Sequence, residues 1–284
     1  MTIKELIQNG VEKLKQYQFE NEIFIAKQLL IKLLNKTNQY ILINQDEILN
    51  DKICNEFNKN IDEIIQGKPL QYITNNQAFM GYDFFVNESV LIPQPDTEIV
   101  VQKCIEIYNN LASNNKVKIL DLCTGSGAIA ISVDKILNKE DNIEVYASDI
   151  SMEALKVANK NQKILNSKVN FIQSNMFENI EGKFDIIVSN PPYIKTSVIE
   201  HLPKDVQEEP HLALDGGEDG LKFYRTIEQE SIKYLRDKGY LCMEIGYDQA
   251  ISVKEILEEK YENIEVIKDF SGNDRCIVAR AVGR

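Results

Sequence analysis

Phe184-Asp185-Ile186-Ile187-Val188-Ser189-Asn190-Pro191-Pro192-Tyr193 is the stretch around which the chain is organised. Its apolar, β-branched run reads as a buried strand, and two consecutive prolines stop it at once. A Pro-Pro pair sets φ twice and removes two N–H donors, so the chain leaves the strand in one rigid direction. What this presents is the Asn190 carboxamide, the carbonyls of Asn190 and Pro191, and the face of the Tyr193 ring. Two acceptors and a ring suit a planar group bearing an NH2. An ordinary strand ending in a proline-rich turn would explain the same letters.

Outward from that stretch, strands and helices alternate. Val117–Leu122 is a strand, Cys123-Thr-Gly-Ser-Gly127 a turn, and Ala128–Leu137 a helix. Ile143–Ala147 is a strand and Ser151–Leu165 a helix that starts at Ser151. Val169–Gln173 is a further strand; a long polar loop runs from Asn190 to Gly220, and a helix then continues to about Arg236. Tyr240–Ile245 (strand), Asp248–Lys260 (helix), Ile264–Ile267 and Arg275–Ala281 (strands) close the chain. This alternation predicts an α/β fold with a mostly parallel, doubly wound sheet. Only Asp269–Asp274 separate the last two strands, too few for a crossover helix, so these should pair antiparallel.

Asn-Pro-Pro-Tyr resembles the signature of S-adenosylmethionine-dependent methyltransferases that modify amide or exocyclic amino nitrogens. An amide nitrogen is a poor nucleophile because its lone pair is delocalised. Acceptors holding both of its hydrogens can align it with the sulfonium methyl and stabilise the developing charge. In a doubly wound sheet the ligand sits beyond the carboxyl ends of the strands. Gly125 and Gly127 end the first strand and allow close backbone approach. Asp149 ends the second, 22 residues after Gly127, where a carboxylate can bind two ribose hydroxyls. NAD would use the same Asp, but the turn lacks the full Gly-x-Gly-x-x-Gly spacing that seats a pyrophosphate on a helix. Asn175-Met176-Phe177 should approach the adenine.

Before the sheet, residues 2–66 read as helical. Ile3, Leu6, Ile7, Val11 and Leu14 fall at helical spacing, as do Ile23, Ala26, Lys27, Leu30, Leu33 and Leu34 with one polar exception. Asp46 is a possible cap for a third helix running through Ile48, Phe57 and Ile65 to a stop at Gly67-Lys-Pro69. Residues 69–95 look like a connector with short strands, and Asp96 or Thr97 suits the cap of a helix bearing Val100, Cys104, Ile107 and Leu111.

Length and charge bound the function. The chain has 284 residues, 43% hydrophobic and 27% charged, ordinary for a soluble globular protein. No apolar run approaches the roughly 20 residues that span a bilayer. Five scattered cysteines without Cys-x-x-Cys, and only His201 and His211, argue for reduced thiols in a cytoplasm and against a metal site. Net charge is −12, and residues 1–75 hold nine Lys/Arg against ten Asp/Glu, so no basic footprint for nucleic acid is present.

Taken together, Pro69-Leu-Gln-Tyr-Ile, Phe79-Met-Gly-Tyr, Leu91-Ile-Pro-Gln-Pro-Asp-Thr-Glu98, Asp121–Ala130 and Asn190-Pro-Pro-Tyr-Ile look like the peptide chain release factor N5-glutamine methyltransferases. So do Glu208-Glu-Pro, Ala213-Leu-Asp-Gly-Gly, Glu244-Ile-Gly and Asp269-Phe-Ser-Gly-Asn-Asp-Arg275. The resemblance runs from about residue 2 to 281. It implies a class I methyltransferase (Rossmann-like) domain at 96–284, a linker with a short β-hairpin at 76–95, and a small helical-bundle domain for substrate recognition at 1–75. The implied reaction is N5-methylation of the glutamine in the Gly-Gly-Gln loop of release factors, modulating translation termination, by a cytoplasmic monomer with no direct nucleic-acid or membrane partner. A ribosomal-protein glutamine methyltransferase and a DNA adenine-N6 methyltransferase are the alternatives. By resemblance, Asp121, Cys123, Thr124, Gly125, Ser126, Gly127, Asp149, Met176 and Asn190 border the cofactor, while Asn190, Pro191, Pro192 and Tyr193, with Phe79, hold the substrate. Among these, Asn190, Pro191 and Tyr193 carry the catalytic role. Three places depart from the family: Cys123 stands where Gly is usual, Gln94 where Arg is usual, and Asn175-Met176 where an acidic residue and often an aromatic are common.

Overall fold

A computed structural model describes residues 1–111, 116–137 and 142–283. The chain divides into two units, Met1–Asn76 with Pro203–Glu208, and Gln77–Leu202 with Glu209–Arg284.

The first unit is helical: α1 Ile3–Gln16, α2 Glu22–Leu34, α3 Asn38–Ile43, α4 Asp51–Gln66 and α5 Leu70–Thr74. At the start of α1, Thr2 Oγ1 accepts from the Glu5 N–H at 3.2 Å while Glu5 Oε2 accepts from the Thr2 N–H at 2.8 Å, a reciprocal capping box. The cap of α4 is Asn50, whose Oδ1 accepts from the Ile53 N–H, and not Asp46. Ile48 precedes the helix, where its backbone bridges to Thr2 and its side chain is exposed. Gly67 ends α4 at φ 117°, as the Gly-Lys-Pro signal implies. On α2 the buried stripe is Ile25, Ala26, Leu29 and Leu30; Ile23 lies exposed, so the expected stripe is rotated on the helix. The short α3 and α5 escape a periodicity argument because each spans fewer than two turns.

Gly10 marks the closest packing in this unit. A Cβ there would sit 2.8 Å from the Phe57 ring on α4 and 3.3 Å from Ile61. Phe57 is fully buried and cannot swing into solvent.

The second unit opens with the hairpin β1 Gln77–Phe79 and β2 Tyr82–Phe84, turned at Met80 and Gly81, both with positive φ. A 3₁₀ turn, Pro95–Thr97, leads into α6 Glu98–Leu111. There follow β3 Val117–Leu122, α7 Ala128–Leu137, β4 Ile143–Asp149, α8 Met152–Leu165, β5 Asn170–Gln173 and β6 Phe184–Ser189. The stretch after Asn190, expected as loop, contains three single-turn helices: α9 Thr196–Ile199, α10 Lys204–Gln207 (part of the first unit) and α11 His211–Leu214. Each starts after a Lys or Pro, without the apolar repeat that marks a longer helix. Then come α12 Lys222–Ser231, β7 Leu235–Glu244, α13 Ala250–Leu257, β8 Tyr261–Lys268 and β9 Asp274–Ala281.

The seven-stranded sheet has the order β5-β4-β3-β6-β7-β9-β8. Its first five strands pair parallel, and β9 runs antiparallel to both β7 and β8, as the short Asp269–Asp274 connection requires. Strand order reverses between β3 and β6, which makes that gap the switch point where ligands bind. Register pairs Leu122 with Ser189, so the turn after β3 and Asn190 after β6 emerge side by side. The Ser189 hydroxyl reinforces the pairing by donating to the Leu122 carbonyl at 2.8 Å. Apolar clusters cover both faces of the sheet, which is why the inner strands read as continuous apolar runs.

Alanine is the better helix former by about 1 kcal/mol, yet overpacking typically costs about 1–3 kcal/mol. Gly10→Ala should therefore lower the unfolding free energy of the helical unit, measured by urea titration of the full chain.

Candidate active site

The turn after β3 is built from beneath. Asp121 is fully buried; its Oδ2 accepts from the Thr124 hydroxyl at 2.6 Å and from the Ala130 N–H at 3.2 Å. Its Oδ1 is buried with no hydrogen-bond partner. Burial pushes the Asp121 carboxyl up to about 7, against the two bonds that favour its charged form. The Ser126 carbonyl accepts from Asn161 Nδ2 at 2.9 Å. Gly127 takes φ 81°, where a side chain would be strained, and a Cβ there would meet Ile131 Cδ1 at 2.9 Å and Ala158 Cβ on α8 at 3.2 Å. Asp121, Thr124, Ser126 and Gly127 thus shape the turn from below and do not line the cavity above it. Cys123 and Gly125 do line it.

Gly125 adopts φ 54°, with open space around its missing Cβ. Its N–H donates to Asp149 Oδ2 at 2.8 Å, and Asp149 Oδ1 accepts from the Ser151 N–H at 2.9 Å. One carboxylate therefore ties the glycine turn to the start of α8. Burial raises the Asp149 pKa, while these backbone N–H groups oppose the rise. Cys123 takes φ 60°, a left-handed conformation that glycine adopts without cost, so the family's usual glycine is explained by the backbone here. The Cys123 thiol contacts Met176 Sδ at 3.9 Å, and burial, with Asp149 and Asp121 nearby, pushes its pKa up. Met176 is itself left-handed, at φ 50°.

The cavity measures about 700 Å³, within the range of small-molecule sites. Asp149, Ile150, Met176 and Phe177 line one part, Asn190 and Pro192 another, and Val90, Leu91, Leu212 and Phe223 further apolar wall. Asn190 Nδ2 donates to Thr97 Oγ1 at 3.3 Å, which leaves Oδ1 as the amide atom available to a ligand. Pro191 is buried and is not on the cavity surface; nor is Tyr193, which is half-buried. The Tyr193 hydroxyl donates to Glu244 Oε1 at 3.0 Å, and its carbonyl accepts from Gln249 Nε2 at 3.0 Å. Gly216 packs so tightly that a Cβ would lie 2.6 Å from Tyr193 Cα. The Ala213-Leu-Asp-Gly-Gly segment is thus the backing of Tyr193.

Phe79 is not at the site. It is buried in the core against Phe84, ring centroids 6.1 Å apart, and does not line the cavity. Strand alternation turns Phe79 and Phe84 inward together, and Val90 and Leu91 supply the apolar wall instead. Sequence reasoning gives Thr97 only as a helix cap and passes over Glu244 and Arg275. Their signal was present in three motifs, Leu91–Glu98, Glu244-Ile-Gly and Asp269–Arg275. What looked like a linker is a strap whose Pro93 carbonyl accepts from Gln77 Nε2, whose Asp96 pairs with Arg275 at 3.3 Å, and whose Glu98 accepts from the Met80 N–H at 2.7 Å. Thr97 caps no helix there; it holds Asn190.

A carboxyl whose folded pKa lies above its unfolded value favours the protonated folded state, so stability falls as pH rises between the two values. For Asp121 that window runs from the ordinary carboxyl value of 3.8 to about 7. Asp121→Asn should remove this dependence: the stability of the variant relative to the parent rises by on the order of 2 kcal/mol from pH 5 to pH 8, read by denaturant unfolding.

Two family models match the chain, the PrmC N-terminal domain over residues 5–74 and the Methyltransferase small domain over residues 106–207. The chain is 39% identical to a release factor glutamine methyltransferase of Moorella thermoacetica and 40% identical to one of Clostridium acetobutylicum, each alignment covering 98% of both proteins. Among solved structures, a methyltransferase from Pyrococcus furiosus superposes with TM-score 0.52 at 20% identity, covering 78% of this chain and 98% of that one, and so supports the fold. Identity of this extent, over the helical unit and the sheet alike, makes this chain a member of the release factor glutamine methyltransferase family.

Proposed function

We propose that this protein methylates the side-chain nitrogen of a glutamine, the one in the Gly-Gly-Gln loop of peptide chain release factors, with S-adenosylmethionine as donor. The observation that supports this best is the pairing of two functions on one cavity at the sheet's switch point: Asp149 beside the glycine turn, and Asn190 offering Oδ1. The residues present fit the donor. Asp149 can take ribose hydroxyls, Ile150, Met176 and Phe177 offer an apolar bed for adenine, and the open space at Gly125 admits a group pressed against backbone. S-adenosylmethionine, when bound, supplies a methyl group on a positively charged sulfur.

The chain's own residues do the rest. Asn190 Oδ1 accepts one glutamine N–H and the carbonyl of the Asn-Pro-Pro segment the other, so the nitrogen is held with its remaining face towards the methyl. Acceptors already in place cost no reorganisation as charge develops. Pro192 and the Val90–Leu91 wall keep water from the amide. Residues 1–75 serve as the substrate-recognition domain, with the segment at 76–95 and its short β-hairpin as linker and 96–284 as the transferase. No helix among the described residues is long and apolar enough to cross a membrane. A cytoplasmic monomer acting on a protein partner, without nucleic acid, is consistent with that and with the near-neutral charge of residues 1–75.

Incubation with labelled S-adenosylmethionine and a release factor, followed by mass mapping, should place one methyl on the Gly-Gly-Gln glutamine; label elsewhere, or none, overturns the assignment. Asn190→Ala should lower turnover roughly 10²–10³-fold while cofactor affinity stays near that of the parent. Asp149→Ala should do the reverse, weakening cofactor binding by about 1.5–3 kcal/mol in calorimetry.

A further inference from the structure

Tyr193 closes the Asn-Pro-Pro-Tyr segment, and its backbone is gripped by a residue that does not line the cavity. Gln249, buried at the N-cap of α13, donates through Nε2 to the Tyr193 carbonyl at 3.0 Å and to the Gly220 carbonyl at 3.2 Å. Its Oε1 accepts from the Gly246 N–H at 2.9 Å and from the Tyr224 hydroxyl at 3.2 Å. A carboxamide has two N–H donors and an oxygen with two lone pairs, and all four are taken here. Turned over, the amide would set its NH2 against the Gly246 N–H and its oxygen against two carbonyls, so only one orientation is satisfied. Two missing side chains make room for it. A Cβ on Gly246 would meet Gln249 Oε1 at 2.8 Å. One on Gly220 would stand 2.9 Å from Gln249 Nε2 and 2.5 Å from the Tyr193 oxygen.

Proline fixes φ and leaves ψ free, and ψ decides where a carbonyl points. Pro191 and Pro192 therefore make the segment stiff, while the direction of its carbonyls is left to whatever anchors its two ends. At the upstream end, the Ser189 hydroxyl bonds the Leu122 carbonyl and Asn190 bonds Thr97. Downstream, Glu244 takes the Tyr193 hydroxyl, but that bond lies at the far end of a side chain and does not set the backbone. The peptide plane between Tyr193 and Ile194 is what the backbone hangs on. Its N–H donates to the Leu214 carbonyl at 3.0 Å, and its carbonyl is held by Gln249. We propose that Gln249 is a positioning residue for methyl transfer. By holding this plane it directs the backbone carbonyl of the Asn-Pro-Pro segment, the second acceptor for the substrate NH2. Without the Gln249 amide the plane keeps one of its two grips, and the Tyr193 and Gly220 carbonyls lose their donor and tilt in search of another.

This inference rests on the glutamine-transfer reading above, and the test separates the two. Steady-state methylation of a release factor is measured for the parent, Gln249→Met, Gln249→Asn and Tyr261→Phe, with cofactor Kd by calorimetry and the thermal midpoint of each. Gln249→Met keeps the length of the side chain and removes its hydrogen bonds. Its kcat should fall roughly 10–10²-fold, the scale of a small misplacement at the reacting centre. KM for the release factor and cofactor Kd should stay within about threefold, because neither ligand touches Gln249. Gln249→Asn withdraws the amide by one methylene and should lower kcat at least about fivefold. Tyr261→Phe is the control for lost stability: it deletes a buried hydroxyl bonded to Ser231, between β8 and α12, and should keep kcat within about twofold. Turnover of Gln249→Met within about threefold of the parent overturns the proposal. So does a loss of turnover in Tyr261→Phe as large as in Gln249→Met at a similar thermal midpoint. Should Gln249→Met not fold, Gln249→Asn with parental kcat overturns it equally. No glutamine methylation by the parent overturns both readings; an active parent with a fully active Gln249→Met overturns this one alone.

Discussion

Four parallel register pairs between β3 and β6, ending at Leu122 and Ser189, are the constraint on which the site depends. Slipping that pairing by one residue would carry Asn190 away from the Cys123–Gly127 turn and move every side chain of the slipped strand to the opposite face of the sheet, against the wrong apolar cluster. The pairing is held by burial on both faces of the sheet and by the Ser189 hydroxyl, which reaches across to the Leu122 carbonyl. Everything chemical is arranged at the ends of these strands, so the precision of the site is inherited from the sheet.

Charge is handled in two layers. Asp149 stands at the cavity and keeps its carboxylate bonded to backbone N–H groups of the turn and of α8. Asp121, Glu244 and Asp269 lie deeper, each buried and each tied to neighbours from other elements. Buried carboxylates of this sort are weak evidence for stability, since desolvation offsets much of what their partners contribute. Their use is geometric: Asp121 sets the turn through Thr124 and Ala130, and Glu244 receives Tyr193.

Much of this was legible in the sequence. Long apolar strands and their alternation with helices carried the sheet, and the short Asp269–Asp274 connection carried its antiparallel edge. The glycine turn, Asp149, Met176 and Asn190 come together on one cavity because strand ends converge there. Side-chain direction was not legible. Phe79 and Tyr193 look like cavity walls as letters, yet strand alternation sends one into the core, and the Glu244 carboxylate draws the hydroxyl of the other inwards. Nor did the pattern separate a strap from a linker: Pro93–Glu98 has no periodicity, and its bonds run to residues as distant as Asn190 and Arg275. Tertiary hydrogen bonds of that span leave no local trace in a sequence.

The left-handed Cys123 has a bearing on chemoselectivity. A sulfonium methyl alkylates whatever nucleophile lies nearest, and a thiolate is far more reactive than a carboxamide. Cys123 places sulfur on the wall of the very cavity in which such a methyl would be carried. Burial, with Asp149 and Asp121 nearby, pushes the pKa of that thiol up and so disfavours the thiolate, the form that would compete with a carboxamide for the methyl.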